Sequence, residues 1–476
     1  MLFNSYEFIC LFFPVVLCVY FLLGKKSSSR FALGWLSVAS LFFYGYWNMS
    51  YLPLLIFSVL MNYAFAGLII SARDKGLVLR NKVLFFLSLT ANISLLGWYK
   101  YADFLIRNIN LAFSADYPLL HIILPLGISF FTITQLLYLY DCYHGTTREH
   151  SFLRYVLFVT FFPHLLAGPI LYHRQMMTQF ADESLARVKW DNMAAGMMLF
   201  VIGLAKKVLI ADSFILYVNR GFAMPGEMNM LQGWLVAICY MLQLYFDFSG
   251  YSDMAVGLSR MMNITIPINF NSPYKASSLI NFWQRWHISL TNAITACVYM
   301  PLIRSFKRPT VANAAFAAFV AFFLVGIWHG AGWHYVAFAM MHGVGMAVNH
   351  VWRQYRLWCP KPLGHVLTLL YVLVAMVFFR AGSLKDAALF LKCMAGMGAG
   401  SAEILTDFPA AIAQVPVSFP ALVCLAGVLL VFFAPNSNQI MEKAEISGKY
   451  LFATLALLAV ALFQLGGTTD FLYFQF

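Results

Sequence analysis

Long runs of apolar residues recur along the whole chain, and short polar or charged connections separate them. A helix that crosses a bilayer needs about 20 consecutive, mostly apolar residues. The first such run covers residues 8–23, and two more follow before residue 75. The later runs cover residues 83–99, 117–140, 152–171, 192–211, 228–247, 311–328, 334–352, 363–379, 417–434 and 449–466. This pattern predicts an all-α polytopic membrane protein, with a bundle of about 11–13 helices.

Two stretches lack the pattern of a plain membrane span. Residues 248–305 are rich in Asn, Ser, Pro, Arg and aromatic residues, although they lie in the middle of the apolar chain. Irregular backbone at membrane depth is tolerated only where protein buries it or where it lines a cavity. We therefore expect re-entrant segments here, around a functional centre. Residues 384–394 are too short and too charged to span, and they favour an interfacial amphipathic helix.

The composition supports the membrane assignment. Of the 476 residues, 62% are hydrophobic and 11% are charged, whereas soluble domains carry about 25% charged residues. The net charge of +12 resides in short Lys and Arg clusters between apolar runs. Such clusters are typical of cytoplasmic loops and argue against a nucleic-acid partner. The eight cysteines are scattered without metal-ligand spacing, so we interpret them as packing residues.

The same clusters predict the orientation in the membrane. Basic residues follow the first run at Lys25, Lys26 and Arg30, and follow the third run between residues 73 and 82, while the connection at 47–51 is uncharged. This alternation puts the N-terminus outside and the Lys/Arg loops in the cytoplasm. Because the basic residues follow the first run, we interpret that run as a permanent helix and not as a signal peptide. We expect one membrane-embedded domain over residues 1–476, with its motifs in a core at 117–352.

His329 is the clearest candidate for chemistry. It directly follows a predicted span, in the sequence Gly-Ile-Trp-His-Gly-Ala-Gly-Trp, and an ionisable residue at the bilayer centre costs about 2.5 kcal/mol or more. The glycines would allow close approach of backbone or substrate, and Trp328 and Trp333 could wall a pocket. Histidine suits general acid–base chemistry because its unperturbed pKa lies near neutrality. The alternative is a structural histidine that hydrogen-bonds a neighbouring helix.

Three more histidines, His334, His342 and His350, follow His329 and raise the question of a metal site. At about 100° per residue, their spacings scatter the four rings over different faces of one helix. We therefore expect no metal site in this set, and we place His334 and His350 at the membrane interface.

Two other segments carry isolated basic groups. Arg285 and His287 are interleaved with tryptophans, so they either form an interfacial belt or line a cavity that handles a polar or anionic group. His164 lies in a segment with a proline on each side, which forces a broken helix. We expect His164 to support a turn and not to react.

Two carboxylates, Asp247 and Asp253, occur in an otherwise apolar segment. Ser249, Ser252 and Arg260 are available in the sequence as their partners. Paired acids could do acid–base work; the alternative is a structural role in hydrogen bonds or a salt bridge that fixes helix ends.

Taken together, these segments resemble the membrane-bound O-acyltransferase family, and specifically its bacterial alginate O-acetylation branch. The similar segments, in chain order, are 3–8, 125–131, 163–169, 247–253, 269–274, 282–290, 326–330 and 378–381. One position departs from the family pattern, because Thr295 and Ala296 stand where the family usually has an Arg-Asp pair. A divergent subfamily with another polysaccharide, such as cellulose, would fit this departure.

The resemblance implies a bundle around a central tunnel, in which His329 is the catalytic residue and His287 the second polar residue of the reaction centre. The residues expected to line the tunnel or contact substrate are Trp328, Arg285, Asp247, Ser249, Tyr251 and Asp253, while His164 and Asn269 are expected to be structural. The implied donor is acetyl-coenzyme A or another acyl thioester, with no bound cofactor or metal. The implied acceptor is an extracellular polysaccharide of the alginate or cellulose type, and partner proteins in the periplasm or outside the cell complete the reaction.

The implied location is the bacterial cytoplasmic (inner) membrane. Three alternatives stay open. Broken helices and buried polar residues also suit a transporter or channel for an acyl donor or polysaccharide. A relative of the same family could transfer D-alanine to teichoic acid. The chain could also be a scaffold subunit of a polysaccharide export complex.

Overall fold

The computed structural model describes residues 1–26, 29–147, 150–308, 310–398, 419–443 and 447–466. Helices are the only regular elements in these ranges. The α-helices, in chain order, are α1 (Phe13–Lys26), α2 (Ser29–Gly45), α3 (Leu52–Asp74), α4 (Val78–Leu96), α5 (Ala102–Phe113), α6 (Ile128–His144), α7 (Phe152–Thr160), α8 (Phe162–Leu165), α9 (His173–Phe180), α10 (Trp190–Ala205), α11 (Ile215–Ala223), α12 (Met230–Met261), α13 (Leu279–Trp283), α14 (Ile288–Ile294), α15 (Met300–Ser305), α16 (Val311–His329), α17 (Trp333–Gln354), α18 (Lys361–Arg380), α19 (Leu384–Met394), α20 (Phe419–Phe433), α21 (Ser437–Lys443) and α22 (Gly448–Phe463).

Short segments of π-helix, which is wider than an α-helix, and of 3₁₀-helix, which is narrower, occur between or beside the α-helices. The π-helical segments are Glu7–Phe12, Gly97–Tyr101, Lys206–Ala211 and Thr295–Tyr299, and the 3₁₀ segments are Met49–Tyr51, Asp212–Phe214 and Pro273–Lys275. Such irregular turns are common at functional sites. The segment Thr295–Tyr299 falls at the position where the chain departs from the family pattern.

Six helical segments in the described ranges are long and apolar enough to cross a membrane. They are Glu7–Lys25, Met49–Asp74, Val78–Phe113, Trp190–Ala223, Val311–His329 and Lys361–Arg380. Each contains a run predicted from the sequence, so the prediction of an all-α polytopic protein is confirmed. The count of about a dozen crossings stays a prediction. The helix predicted at 384–394 is present as α19 with those bounds.

Three predicted boundaries were wrong. The run at 117–140 becomes helical only at Ile128, because Gly127 adopts a left-handed φ of 72° directly before α6. The run at 152–171 is interrupted at Phe161, where ψ is 108°. The irregular region expected from residue 248 begins later, since α12 contains no proline and continues to Met261. The first two residues of the run at 417–434 lie outside the described residues.

The chain divides into two units of residues in mutual contact. Unit 1 comprises Met1–Val201, Tyr251–Ile268 and Ile446–Thr454, and unit 2 comprises Ile202–Gly250, Asn269–Glu445 and Leu455–Phe476. Two of the boundaries fall inside α10 and α12, so each of these helices contributes to both units. His329 and His287 belong to unit 2.

Within unit 2, α16 and α17 form an antiparallel hairpin that presents His329 at its closed end. A Cβ on Gly326 would lie 2.4 Å from the Cβ of Ala339 and 2.8 Å from the carbonyl oxygen of Tyr335. A Cβ on Gly330 would lie 2.1 Å from the Tyr335 ring. These two glycines therefore permit direct packing of α16 and the following turn on α17.

Candidate active site

His329 is the last residue of α16, and its side chain is 7% exposed. Three aromatic rings surround the imidazole. Its ring centroid lies 5.0 Å from Trp328, 5.0 Å from Phe379 and 6.2 Å from Phe338, all in edge-on geometry. The helix ends here because Gly330 is extended, so the histidine lies where backbone hydrogen bonding of α16 stops.

His287 lies in the turn between α13 and α14, and its side chain is 1% exposed. Its backbone is left-handed, with φ of 44°. The imidazole contacts the ring of Phe248 edge-on, with the centroids 4.8 Å apart, and lies 6.4 Å from Trp328. The indole of Trp328 thus contacts both histidines, and the structure brings together three of the residues that the sequence singled out.

Asn269 fixes the turn that carries His287. Its Oδ1 accepts hydrogen bonds from the hydroxyl (2.6 Å) and the backbone N–H (3.3 Å) of Ser289, and its carbonyl accepts one from the N–H of Ile288 (3.0 Å). The donors of these bonds belong to Ile288 and Ser289, which directly follow the left-handed His287. These bonds give a physical basis for the structural role that we expected of Asn269.

Arg285 binds its own loop. Its Nε donates to Oδ1 of Asn281 (3.2 Å), and its Nη1 donates to the carbonyl of Asn271 (3.2 Å). The N–H of Asn271 in turn donates to the carbonyl of Arg285 (3.0 Å). The half-buried guanidinium therefore connects the 269–275 segment to the turn of His287.

Asp247 has a partner that the sequence reasoning missed. Its carboxylate lies 2.8 Å from the ammonium of Lys207, which also contacts Asp212 at 2.5 Å. Lys207 and Asp247 are each about 2% exposed. Arg260, considered as a partner from the sequence, is exposed at the far end of α12. Ser249 is buried on the same helix.

Three of the predicted residues belong to unit 1. Tyr251 is buried and stacks on Phe3, with centroids 4.8 Å apart. Asp253 is also buried. His164 follows the break after α7, and its Nε2 donates to the carbonyl of Phe158 at 2.8 Å. That carbonyl lies in the last turn of α7, so the imidazole supports the bend, as the prolines suggested.

A half-open cavity of about 270 Å³ lies in unit 2, along α16. At one end it reaches Leu290 and Val325, which are about one helical turn from His287 and His329. At the other end it reaches His350 and Arg353, near the C-terminus of α17. Most of its wall is apolar, and Thr295 of the departing segment also lines it.

His342 is fully buried and lies close to the aromatic rings that surround His329. The Nε1–H of Trp283 donates to its Nδ1 at 3.3 Å, and Phe338 contacts its ring edge-on at 4.7 Å. Since Phe338 also contacts His329, the two imidazoles share a neighbour. Within the described ranges, three or more His, Cys, Asp or Glu side chains do not come together in a way that could hold a metal ion.

The residues that sequence reasoning missed at the site are mostly aromatic. Phe248, Phe338 and Phe379 contact the two histidines. Phe248 and Phe379 fall in the segments 247–253 and 378–381 that resemble the family, whereas Phe338 is one of 46 phenylalanines without such a signal. A signal did exist for Lys207, because Lys206 and Lys207 interrupt an apolar run. A buried lysine requires an anionic partner, which points to Asp247.

Known proteins are similar to this chain in sequence. A model of the membrane-bound O-acyltransferase family matches residues 17–385. A peptidoglycan O-acetyltransferase of Helicobacter pylori is 35% identical over 100% of this chain and 98% of its own. A probable alginate O-acetylase of Pseudomonas aeruginosa is 34% identical over 84% of this chain and 75% of its own. A teichoic acid D-alanyltransferase of Streptococcus thermophilus is 28% identical over 48% of this chain and 57% of its own.

The family match covers the end of the first span and all of the other five described spans, together with the Trp328–His329 pair and the turn of His287. Two of these relatives are O-acetyl-transferring proteins by name, and one of them aligns over nearly the full length of both chains. The chain therefore belongs to the membrane-bound O-acyltransferase family and is a multi-pass acyltransferase.

Proposed function

We propose that this protein transfers an acetyl group from a cytoplasmic acyl thioester for the O-acetylation of a polysaccharide outside the cytoplasmic membrane. The observation that carries the proposal is the contact of one indole, Trp328, with both buried histidines. The names of the two acetyl-transferring relatives support acetate as the acyl group. The protein would lie in the bacterial inner membrane with its N-terminus outside, and would work with periplasmic or extracellular partner proteins.

His329 acts in this proposal as the general base. The imidazole takes the proton of an acceptor hydroxyl while the hydroxyl oxygen attacks the carbonyl carbon of the thioester. The C–S bond breaks, and the thiolate receives the proton, so the products are an acetyl ester and a free thiol. The acceptor is either a sugar hydroxyl or a hydroxyl on a partner protein that passes the acetyl group on. The aromatic rings around His329 exclude water and so limit hydrolysis of the thioester.

The cavity along α16 fits the donor in this scheme. Its inner end lies about one helical turn from each histidine, and its outer end carries Arg353 and His350. An acyl thioester of coenzyme A or of a carrier has a slender arm that ends in a phosphate. An arginine at the mouth suits that phosphate, while an apolar wall suits the arm.

The acceptor is the open part of the proposal. The sequence resemblance favours a polysaccharide of the alginate or cellulose type. Peptidoglycan is the second candidate, because the Helicobacter pylori peptidoglycan O-acetyltransferase aligns over nearly all of both chains. Both classes of acceptor present hydroxyl groups outside the membrane, and the same chemistry at His329 serves either.

The test is acetyl transfer by purified protein from labelled acetyl-coenzyme A to alginate, cellulose oligosaccharides or peptidoglycan. We expect His329→Ala to lower ester formation by about 100-fold or more, with normal membrane insertion. His365→Ala is the matched control, since His365 lies on α18 and contacts Phe432. Near-normal transfer by His329→Ala would contradict the catalytic role. Movement of substrate into liposomes without ester formation would favour a transporter.

A further inference from the structure

A second cavity lies in unit 1, away from the two histidines in the chain. It is an open groove of about 800 Å³ between the C-terminal part of α1 and the start of α10, which we call the α1–α10 groove. Leu17, Phe21 and Met193 form part of its apolar wall. Lys25 and Arg187 form its cationic rim, and both side chains are exposed.

The loop that carries Arg187 is held in place. The Nδ2 of Asn263 donates to the carbonyls of Leu185 and Arg187, both at 2.7 Å. On the other side, Gly24 packs directly on this loop, because a Cβ at Gly24 would lie 2.2 Å from the carbonyl oxygen of Ala186. The position of the rim relative to α1 is therefore fixed by the fold.

The rim lies at a membrane boundary. The span Glu7–Lys25 ends at Lys25, and the span Trp190–Ala223 begins at Trp190. Trp190 lines the groove and is 76% exposed, as is typical of tryptophans at the level of lipid headgroups. Leu17 lies eight residues before Lys25, or about 12 Å deeper along the helix. The wall of the groove thus extends from the headgroup level into the hydrocarbon.

The charges of the rim are available to an anion. Within the described ranges, no carboxylate lies within ion-pair distance of Lys25 or Arg187. Asp182, in the same loop, interacts electrostatically with Arg187 but does not line the groove, and its carboxylate accepts hydrogen bonds from the N–H (2.8 Å) and the hydroxyl (3.0 Å) of Ser184. A ligand with an anionic head and an apolar tail would complement both parts of the groove.

We propose that the α1–α10 groove binds one anionic glycerophospholipid, with its phosphate between Lys25 and Arg187 and an acyl chain along Leu17 and Phe21. The lipid would join α1 to the start of α10 at the membrane surface. This site is independent of the acetyl-transfer chemistry proposed above. Each basic residue near an anionic headgroup strengthens binding about five-fold, so the two rim residues give a clear preference over zwitterionic lipid.

Native mass spectrometry of the full-length protein tests the proposal, with phosphatidylglycerol or phosphatidylcholine of the same acyl chains added. We expect wild type to retain one phosphatidylglycerol, and the double variant Lys25→Gln/Arg187→Gln to bind it about 10- to 30-fold more weakly. A second variant, Cys18→Trp, keeps both charges and fills the groove at Cys18, which lines it. We expect it also to lose the bound lipid.

The matched control is Lys75→Gln/Arg80→Gln, which removes the same two charges from exposed positions after the end of α3 and in the first turn of α4. We expect it to bind phosphatidylglycerol as wild type does. Equal binding by wild type and the Lys25/Arg187 variant would overturn the proposal, and so would equal retention of phosphatidylcholine. Loss of binding in the control as well would show surface attraction without a site. Unchanged elution on gel filtration shows that the variants are folded.

Discussion

At the residue scale, His287 combines two requirements that few side chains meet together. It must supply a polar ring beside Trp328, and it must adopt a left-handed backbone between α13 and α14. The bonds from Asn269 to the start of α14 stabilise that backbone. Because left-handed conformations cost about 1–2 kcal/mol for most residues, the two requirements can be separated by substitution.

We predict that His287→Asn keeps the fold and loses most of the activity, because Asn tolerates the left-handed region but lacks the imidazole. The expected loss in acetyl transfer is about 10- to 100-fold. His287→Val should in addition lower stability by about 1–2 kcal/mol. Thermal unfolding in detergent, measured beside the transfer assay, separates the two effects. Equal stability of the Asn and Val variants would contradict the role of the backbone.

At the element scale, two helix contacts position the site. The α16–α17 hairpin is close-packed at Gly326, and a π-helical turn after α10 places Lys207 against α12. The first contact depends on the absence of a side chain. The second depends on a buried ammonium that bridges two carboxylates. Each of the two contacts leads to a separate prediction.

We predict that Gly326→Ala lowers stability by about 1–3 kcal/mol, as overpacking usually does, and displaces His329 enough to lower activity. Ala339→Gly in the same chain should restore part of the loss, because it removes the Cβ that lies 2.4 Å away. Gly34→Ala is the control, since a Cβ there meets nothing within 4 Å. Additive effects at Gly326 and Ala339, measured by thermal unfolding, would argue against the contact.

We predict that Lys207→Met is far more damaging than Asp247→Asn. Removal of the lysine leaves two buried carboxylates without their cation and should cost about 3–5 kcal/mol. Asp247→Asn leaves Lys207 paired with Asp212, so a smaller loss follows. Lys189→Met, at an exposed position, should change stability by less than about 0.5 kcal/mol. Equal destabilisation by the two core variants would exclude the bridging role of Lys207.

At the scale of the whole molecule, the orientation follows from where the basic residues lie. We predict that green fluorescent protein fluoresces when fused after Gly76, because the neighbouring Lys and Arg residues keep that loop in the cytoplasm. Alkaline phosphatase should be active when fused after Asn48, in the uncharged connection between α2 and α3. For both fusions, expression of the full-length fusion protein is checked as a control. The opposite pattern would place the N-terminus inside.

The fold class was predictable from local sequence, and so was the main candidate for chemistry. Apolar length alone identified the six spans found in the described part of the chain, because a bilayer requires a helix of that length whatever its neighbours are. The short charged segment at α19 was also identified with its bounds. His329 stood out for the same reason, since an ionisable group next to an apolar run is costly and needs an explanation.

Tertiary structure decided what each polar group contacts. Asp247 pairs with Lys207 and not with Arg260, and Asn269 bonds Ser289 twenty residues later. The contacts of the phenylalanines with the histidines became recognisable only in three dimensions, because they depend on which helix faces meet. The sequence by itself determined a membrane acyltransferase fold and made His329 the candidate for its centre, since span length and the motifs can be read directly along the chain. Only the folded chain brought His287 to Trp328, the neighbour of His329, and built the two cavities, because those contacts join residues that are distant in the sequence.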